Sequence, residues 1–215
     1  MKVTLLCTDE GHPVNKHLDQ WVQQNKSQYD VSIARNKSEL VGGDILFLVS
    51  CSEFIKASYR ALYKSCLVIH AGDLPVGRGW SPHIWEIING AKKITVVLIE
   101  AEDNIDSGRV WFKKSFHVPK DWLWDEINEK LFSTEISLIN LAIDKFDEVK
   151  PIAQDVDIKP TYYPRRTSKD SEINTNLSIS EQFDKIRVSD PHRFPNFFEI
   201  HGQQFKLIIE KIKES

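Results

Sequence analysis

Three short runs in this chain, DILFLVS (residues 44–50), CLVIHA (66–71) and ITVVLIEA (94–101), are apolar at nearly every position. A strand with one face in water alternates apolar and polar residues. Uninterrupted runs of this kind therefore mark strands covered on both faces. Lys2–Thr8 and Tyr29–Ala34 add two more β-rich runs, and GRVWFKKSFHV adds another. Between them lie helical patterns. Val14–Asn25 carries Val14, Leu18, Trp21 and Val22 at helical spacing, and Glu53–Lys64 has a similar pattern. Ser81-Pro82 reads as a helix start, with Ser81 as N-cap and Pro82 at the first helical position. Trp85, Ile88 and Ile84 would face the sheet, and Gly90 would end that helix. A long amphipathic helix is expected from Trp122 to about Phe146. The alternation predicts an α/β fold: a Rossmann-like, doubly wound, mostly parallel sheet with helices on both faces.

Composition changes near residue 147. From Asp147 to Asn176 the chain is polar, with three prolines, and reads as a strap over the surface. Asn196–Ile200 and Phe205–Ile209, separated by HGQQ, then give a β-hairpin signal with Gly202 in the turn. The expected organisation is a catalytic unit at 1–146 and a C-terminal extension at 147–215. Exposed strand edges on the hairpin offer a surface for a homodimer.

A formal net charge of -3 argues against a nucleic-acid polymer as partner across the whole surface. No run approaches a membrane span, and the N-terminal apolar stretch is too short for a signal peptide. Cys7, Cys51 and Cys66 sit in or beside apolar runs. They read as buried, reduced thiols of a cytoplasmic protein. No metal is expected, since Cys66 and His70 lack a second ligand pair.

In an open α/β sheet, ligands bind beyond the carboxyl ends of the strands. His70 lies at such an end, and EDNIDSG follows the 94–101 strand. If those strands are neighbours, His70 and Asp106 face each other across one crevice, as an imidazole and a carboxylate that can hold and move a proton. The alternative is a loop histidine and a turn aspartate without contact. The loop GDLPVGRG fits neither nucleotide-binding glycine fingerprint; its glycines admit close approach of a flat ligand.

The order of elements carries more. His70, Leu74-Pro75, Arg78-Gly79, Ser81-Pro82, Ile87-Ile88-Asn89-Gly90 and Asp106-Ser107-Gly108 follow one another at characteristic spacings. The segment resembles the core of the N10-formyltetrahydrofolate-dependent formyltransferases. The tail, with Arg187, Asp190, Pro195, Phe197 and Phe198, is similar to that of the sugar N-formyltransferases. The resemblance implies that an amine attacks the formyl carbon of N10-formyltetrahydrofolate. His70 would donate to the oxyanion, while Asp106 would orient His70 and help remove the amine proton. The family asparagine, two residues before the histidine, is here Val68. Asn104, or backbone N–H groups of Gly72–Gly77, would supply that donor. The folate would lie among Ser50, Cys51, Phe54, Ile55, Leu74, Pro75, Glu100 and Asp103. Arg78, Gly79, Trp80, Tyr162 and Arg165 would meet a nucleotide-linked amino deoxy sugar destined for a surface polysaccharide or glycan, with Arg165 and Arg166 toward the diphosphate. A relative that only hydrolyses or binds the folate is a second reading. An interaction module built on Trp80, Trp85, Trp111, Trp122 and Trp124 is a third.

Overall fold

The apolar runs do become the centre of a sheet. The computed structural model describes residues 1–212. In chain order it contains β1 (Lys2–Leu6), α1 (Asn15–Asn25), β2 (Asp30–Ala34), β3 (Gly43–Leu48), α2 (Ala57–Arg60), β4 (Tyr63–His70), β5 (Arg78–Gly79), α3 (Pro82–Ile88), β6 (Lys93–Glu100), β7 (Val110–His117), α4 (Trp124–Asp144), β8 (Tyr162–Tyr163), α5 (Phe183–Arg187), β9 (Asn196–Ile200) and β10 (Gln203–Leu207). Six strands form one sheet in the order β2-β1-β3-β4-β6-β7. The first four are mutually parallel; β6 runs antiparallel to β4, and β7, antiparallel to β6, returns to the direction of the first four. The fold is the expected mostly parallel, Rossmann-like one. Among the described residues no helix is long and apolar enough to cross a membrane.

Helix cover is unequal on the two faces. On one, α1, α3 and α4 pack Leu18, Trp21, Ile84, Ile87, Leu131 and Ile139 against the strands in a single buried cluster. Trp21 Nε1 donates to Asn140 Oδ1 at 2.6 Å and ties α1 to α4. On the other face, Leu46, Leu48 and Cys66 are covered by Leu40 and Ile55 from connecting segments.

Four expectations are corrected by the structure. The helix read at 53–64 is the single turn α2, because Tyr63 already belongs to β4 and is buried, with its hydroxyl donating to Thr4 Oγ1. Ser81 makes no side-chain cap and sits in the left-handed region, although Pro82 does open α3. Along α3, Ile84 and Ile87 are buried, whereas Trp85 turns away and stacks on Tyr163 of the strap. In the hairpin, β10 starts at Gln203, so the turn is only His201-Gly202, both with positive φ as a two-residue turn requires.

The antiparallel entry of β6 has a geometric cause. A seven-residue helix such as α3 spans about 10 Å, whereas an eight-residue strand such as β4 spans roughly 27 Å. The helix cannot carry the chain back to the start of β4, so β6 begins beyond His70 and descends beside it. Val97 pairs with His70, and Glu100 with Leu67.

Candidate active site

β4 ends on His70, whose ring is 7% exposed. Its Nε2 lies 2.7 Å from the Gly77 carbonyl oxygen. A carbonyl can only accept, so Nε2 carries the hydrogen. The other nitrogen, Nδ1, faces Asp106 Oδ2 at 3.6 Å. Asp106 sits at a φ of 53°, a conformation aspartate tolerates better than most residues. The same carboxylate oxygen accepts the Gly79 N–H at 2.8 Å. One carboxylate thus holds a backbone donor and faces an imidazole, with 10% of its side chain exposed.

Asp106 does not arrive there from the carboxyl end of a neighbouring parallel strand. Because β6 is antiparallel, its carboxyl end lies beside the middle of β4, where Ala101 N–H donates to Cys66 O. Residues 101–109 then fold back and carry Asp106 up to His70. This return is tight at Gly108, where an added Cβ would lie 1.8 Å from Glu100 O. Gly72 has a related role: a Cβ there would lie 2.9 Å from His70 Nε2 and 2.7 Å from Gly77 O.

The strap reaches this site across a wide sequence gap. Gln154 Nε2 donates to the carbonyls of Asp106 and Gly108 at 2.8 and 3.0 Å. Thr161 Oγ1 accepts the Gly77 N–H at 2.8 Å. β5 pairs in parallel with β8, so Arg78 and Gly79 lie alongside Tyr162 and Tyr163. Neither Gln154 nor Thr161 carries a sequence signal, since each acts on backbone groups of a distant loop.

Of the expected folate wall, Ser50 lies at a φ of 49°, with its hydroxyl near His12 Nε2. Cys51, Val68 and Ala101 pack beside the buried Ile55, and burial pushes the Cys51 thiol up to about 11. Phe54 is half exposed. Arg60 joins the two proposed walls: its Nη1 donates to Ile55 O and its Nη2 to Asp103 Oδ1, each at 2.7 Å. Glu100 is taken up by Arg109 and Trp111. Leu74 packs with Val97 and Ile99. Leu74 and Pro75 also line a mostly apolar cleft of about 790 Å³ with Phe112, Ile152 and Gln154. Neither His70 nor Asp106 lines that cleft.

Asn104 is exposed, and among the described residues only its carbonyl is engaged, by Ser107 Oγ. The N–H groups of Val76 and Gly77 are already bonded to Asp73 O and Thr161 Oγ1. On the acceptor side, Arg78 bonds Tyr162 and Gln154. Arg165 lies 4.9 Å from the centre of the exposed Trp80 ring. Arg187 pairs with Asp184 rather than with Asp190, which caps His192 N–H instead.

Two histidines beside the site escaped the sequence reading. His12 Nδ1 accepts the Val14 N–H, which leaves the hydrogen on Nε2 toward Ser50. Burial and the Arg193 charge lower its pKa to about 4. His83 follows Pro82 in α3; burial, with His12, His70 and Arg166 nearby, lowers its pKa to about 3. Both rings are neutral at ordinary pH. A single histidine beside a proline gives no signal of this kind without knowledge of what encloses it.

Comparisons with known proteins bear on the family and the fold. The family model for formyl transferases matches residues 1–143. Among curated proteins, the methionyl-tRNA formyltransferase of Rickettsia africae is 28% identical over 171 residues, 79% of this chain and 55% of its own. The chain thus spans little more than half the length of that relative. Among solved structures, methionyl-tRNA formyltransferase from Clostridium thermocellum superposes with a TM-score of 0.83 at 23% identity, covering 99% of this chain and 94% of its own. HypX from Aquifex aeolicus in complex with tetrahydrofolic acid gives 0.80 at 18% identity, covering 95% and 36%. A 4-N formyltransferase from Francisella tularensis gives 0.75 at 19% identity, covering 99% and 98%. With two thirds of its length matched by one family model and its histidine–aspartate pair inside that span, the chain belongs to the formyl transferase family.

Proposed function

We propose that this protein transfers the formyl group of N10-formyltetrahydrofolate to the amine of a nucleotide-linked amino deoxy sugar. The observation that carries the reading is the His70–Asp106 pair at 3.6 Å, with the Gly79 N–H on the same carboxylate. The folate donor is supported by the family and by the tetrahydrofolic acid that HypX holds.

The chemistry follows from the two ends of the imidazole. The amine nitrogen attacks the formyl carbon, a C–N bond forms, and the carbonyl electron pair moves onto oxygen. The attacking nitrogen then sheds a proton. At His70 Nδ1 that proton is met by the Asp106 carboxylate, which stabilises the imidazolium. Collapse of the oxyanion breaks the bond to N10, which takes up a proton and leaves as part of tetrahydrofolate. The donor for the oxyanion is Nε2–H of His70, now given to Gly77 O, so the Gly72–Gly77 loop must release it. One such donor contributes roughly 2.7–4 kcal/mol. Val68 packs among apolar neighbours and offers no amide there. Asn104, two residues before Asp106 on the exposed turn, is our candidate for the second donor.

The sugar as acceptor is supported by the C-terminal pattern Arg187, Asp190, Pro195, Phe197 and Phe198, and by the likeness in fold to a sugar N-formyltransferase from Shewanella, with a TM-score of 0.73. We assign 1–146 to catalysis and 147–215 to the acceptor side; residues 213–215 lie outside the described residues. Methionyl-tRNA is the competing acceptor, favoured by the Rickettsia relative. One assay separates the readings. The protein is given N10-formyltetrahydrofolate with a panel of nucleotide-linked amino sugars, with methionyl-tRNA, and with neither. Formyl mass gained by a sugar, and lost in His70→Ala, supports the proposal. Formylation of the tRNA alone moves the acceptor assignment. Loss of formyl without any acceptor makes the protein a hydrolase.

A further inference from the structure

The strap holds two adjacent arginines with opposite fates. Arg165 lies over Trp80, while Arg166 is only 9% exposed. Arg166 Nη2 donates to two neutral hydroxyls, Ser171 Oγ at 3.1 Å and Ser189 Oγ at 3.5 Å. Nε is enclosed and bonds to nothing among the described residues; Nη1 bonds to none either, and is not fully enclosed. The nearest acid in sequence, Asp170, accepts Thr167 N–H and Oγ1; its charge favours the guanidinium from beyond ion-pair distance. Arg187 shows the contrast. It is 2% exposed, yet pairs with Asp184 and donates to the carbonyls of Pro119 and Trp122.

A buried cation without a counter-charge costs several kcal/mol. Here the Asp170 charge and the face of the Phe194 ring act on the guanidinium, but no carboxylate touches it. Arg166 lies 5.1 Å, and Arg193 5.7 Å, from the centre of the same Phe194 ring. Arg193 has Asp9 as its partner. Arg166 makes no ion pair among the described residues, and its Nη1, which has no partner among them, is where a counter-ion can meet the guanidinium directly.

We propose that Arg166 anchors an oxyanion site for a phosphate or diphosphate group of the acceptor. The assignment of that anion to the acceptor rests on the formyl-transfer reading above. Position supports it. Tyr163 pairs with Gly79, whose N–H holds Asp106, and Arg166 follows three residues later, at most about 10 Å along the chain. An anion on Arg166 is therefore anchored within a few residues of the loop that positions the catalytic pair. One open nitrogen on an enclosed guanidinium suits a compact anion better than a polynucleotide backbone crossing a surface. Of the two arginines expected to meet the diphosphate, we keep Arg166 and leave Arg165 to its contact with Trp80.

The test is calorimetry and thermal unfolding of the full chain with inorganic pyrophosphate at fixed ionic strength. Inorganic phosphate, uridine diphosphate and a short ribooligonucleotide are parallel arms. Pyrophosphate and uridine diphosphate are expected to bind wild type and raise its Tm, with phosphate weaker. Arg166→Met is expected to weaken pyrophosphate binding by at least about tenfold, and Arg165→Met to leave it within about twofold. Should Arg166→Met fail to fold, Arg166→Lys serves, with an intermediate loss expected because it keeps the charge but not the planar fork. Equal binding by wild type and both Arg166 variants overturns the site. So does no response in wild type, or a response to the ribooligonucleotide alone. Binding of 5-formyltetrahydrofolate to wild type is measured separately. Its absence with pyrophosphate binding intact removes the formyl-transfer reading and leaves the anion site. Its presence without Arg166-dependent pyrophosphate binding does the reverse.

Discussion

Asp106→Asn tests the central pair with almost no change of shape. The substituted side chain is isosteric, and asparagine tolerates the φ of 53° found there. Its amide oxygen can still accept the Gly79 N–H, now as a neutral acceptor, so the stability cost should be about 1 kcal/mol. The kinetic cost is larger, because the negative charge facing His70 is gone when the ring takes up a proton. At the observed 3.6 Å, an effective dielectric constant of about 20 gives an interaction of roughly 4 to 5 kcal/mol. That corresponds to a rate loss on the order of a thousandfold. Single-turnover formyl transfer measures the rate, and urea unfolding of the same samples measures stability. The expected result is a rate loss of that order with a small stability change. A rate within about threefold of wild type would refute the role of the charge. A double-mutant cycle adds a stricter condition: if His70→Ala and Asp106→Asn act as one unit, their combined loss should fall well short of the sum. Additive losses would mean that the two side chains act separately.

Three further variants probe what holds the site. Gly108→Ala should destabilise the fold by at least about 3 kcal/mol, since the new Cβ meets a strand carbonyl that cannot move aside; denaturant titration checks it. Thr161→Val should leave the Gly77 N–H without its acceptor, at about 1–3 kcal/mol, and should lower kcat because Gly77 O holds His70; melting and steady-state kinetics together test both effects. Glu135 is buried on α4, and burial pushes its carboxyl from 4.5 up to about 8. The folded state therefore keeps a proton that the unfolded state gives up, and stability falls as pH rises from 4.5 towards 8, by roughly 1.4 kcal/mol per unit. Glu135→Gln should flatten that slope, and unfolding series run from about pH 5 to about pH 9 would show it.

What was legible in the sequence, and what was not, divides along a physical line. The continuous apolar runs revealed which segments form the sheet, because burial on both faces leaves its mark on every residue. They could not reveal the direction of β6, since an interior strand is equally apolar in either sense; the length of α3 decides that. His70 and Asp106 were visible as a pair only through the order of motifs. Only His70 stands at a carboxyl end on that edge of the sheet; Asp106 reaches it by the return of residues 101–109 from the opposite direction. The strap was harder. Its polar composition predicted a surface path, yet Gln154 and Thr161 by side-chain bonds, and Tyr163 by strand pairing, fasten the backbone around the His70–Asp106 pair, and backbone groups carry no mark in the sequence of the partner they receive. Arg165 and Arg166 make the same point in reverse. Neighbours of identical chemistry separate into an exposed stacking residue and an enclosed, unpaired charge because the backbone turns each toward a different surface. Sequence pattern records what a segment buries along its own length. The contacts that convert the His70 loop into a site cross some eighty residues, and only the fold records them.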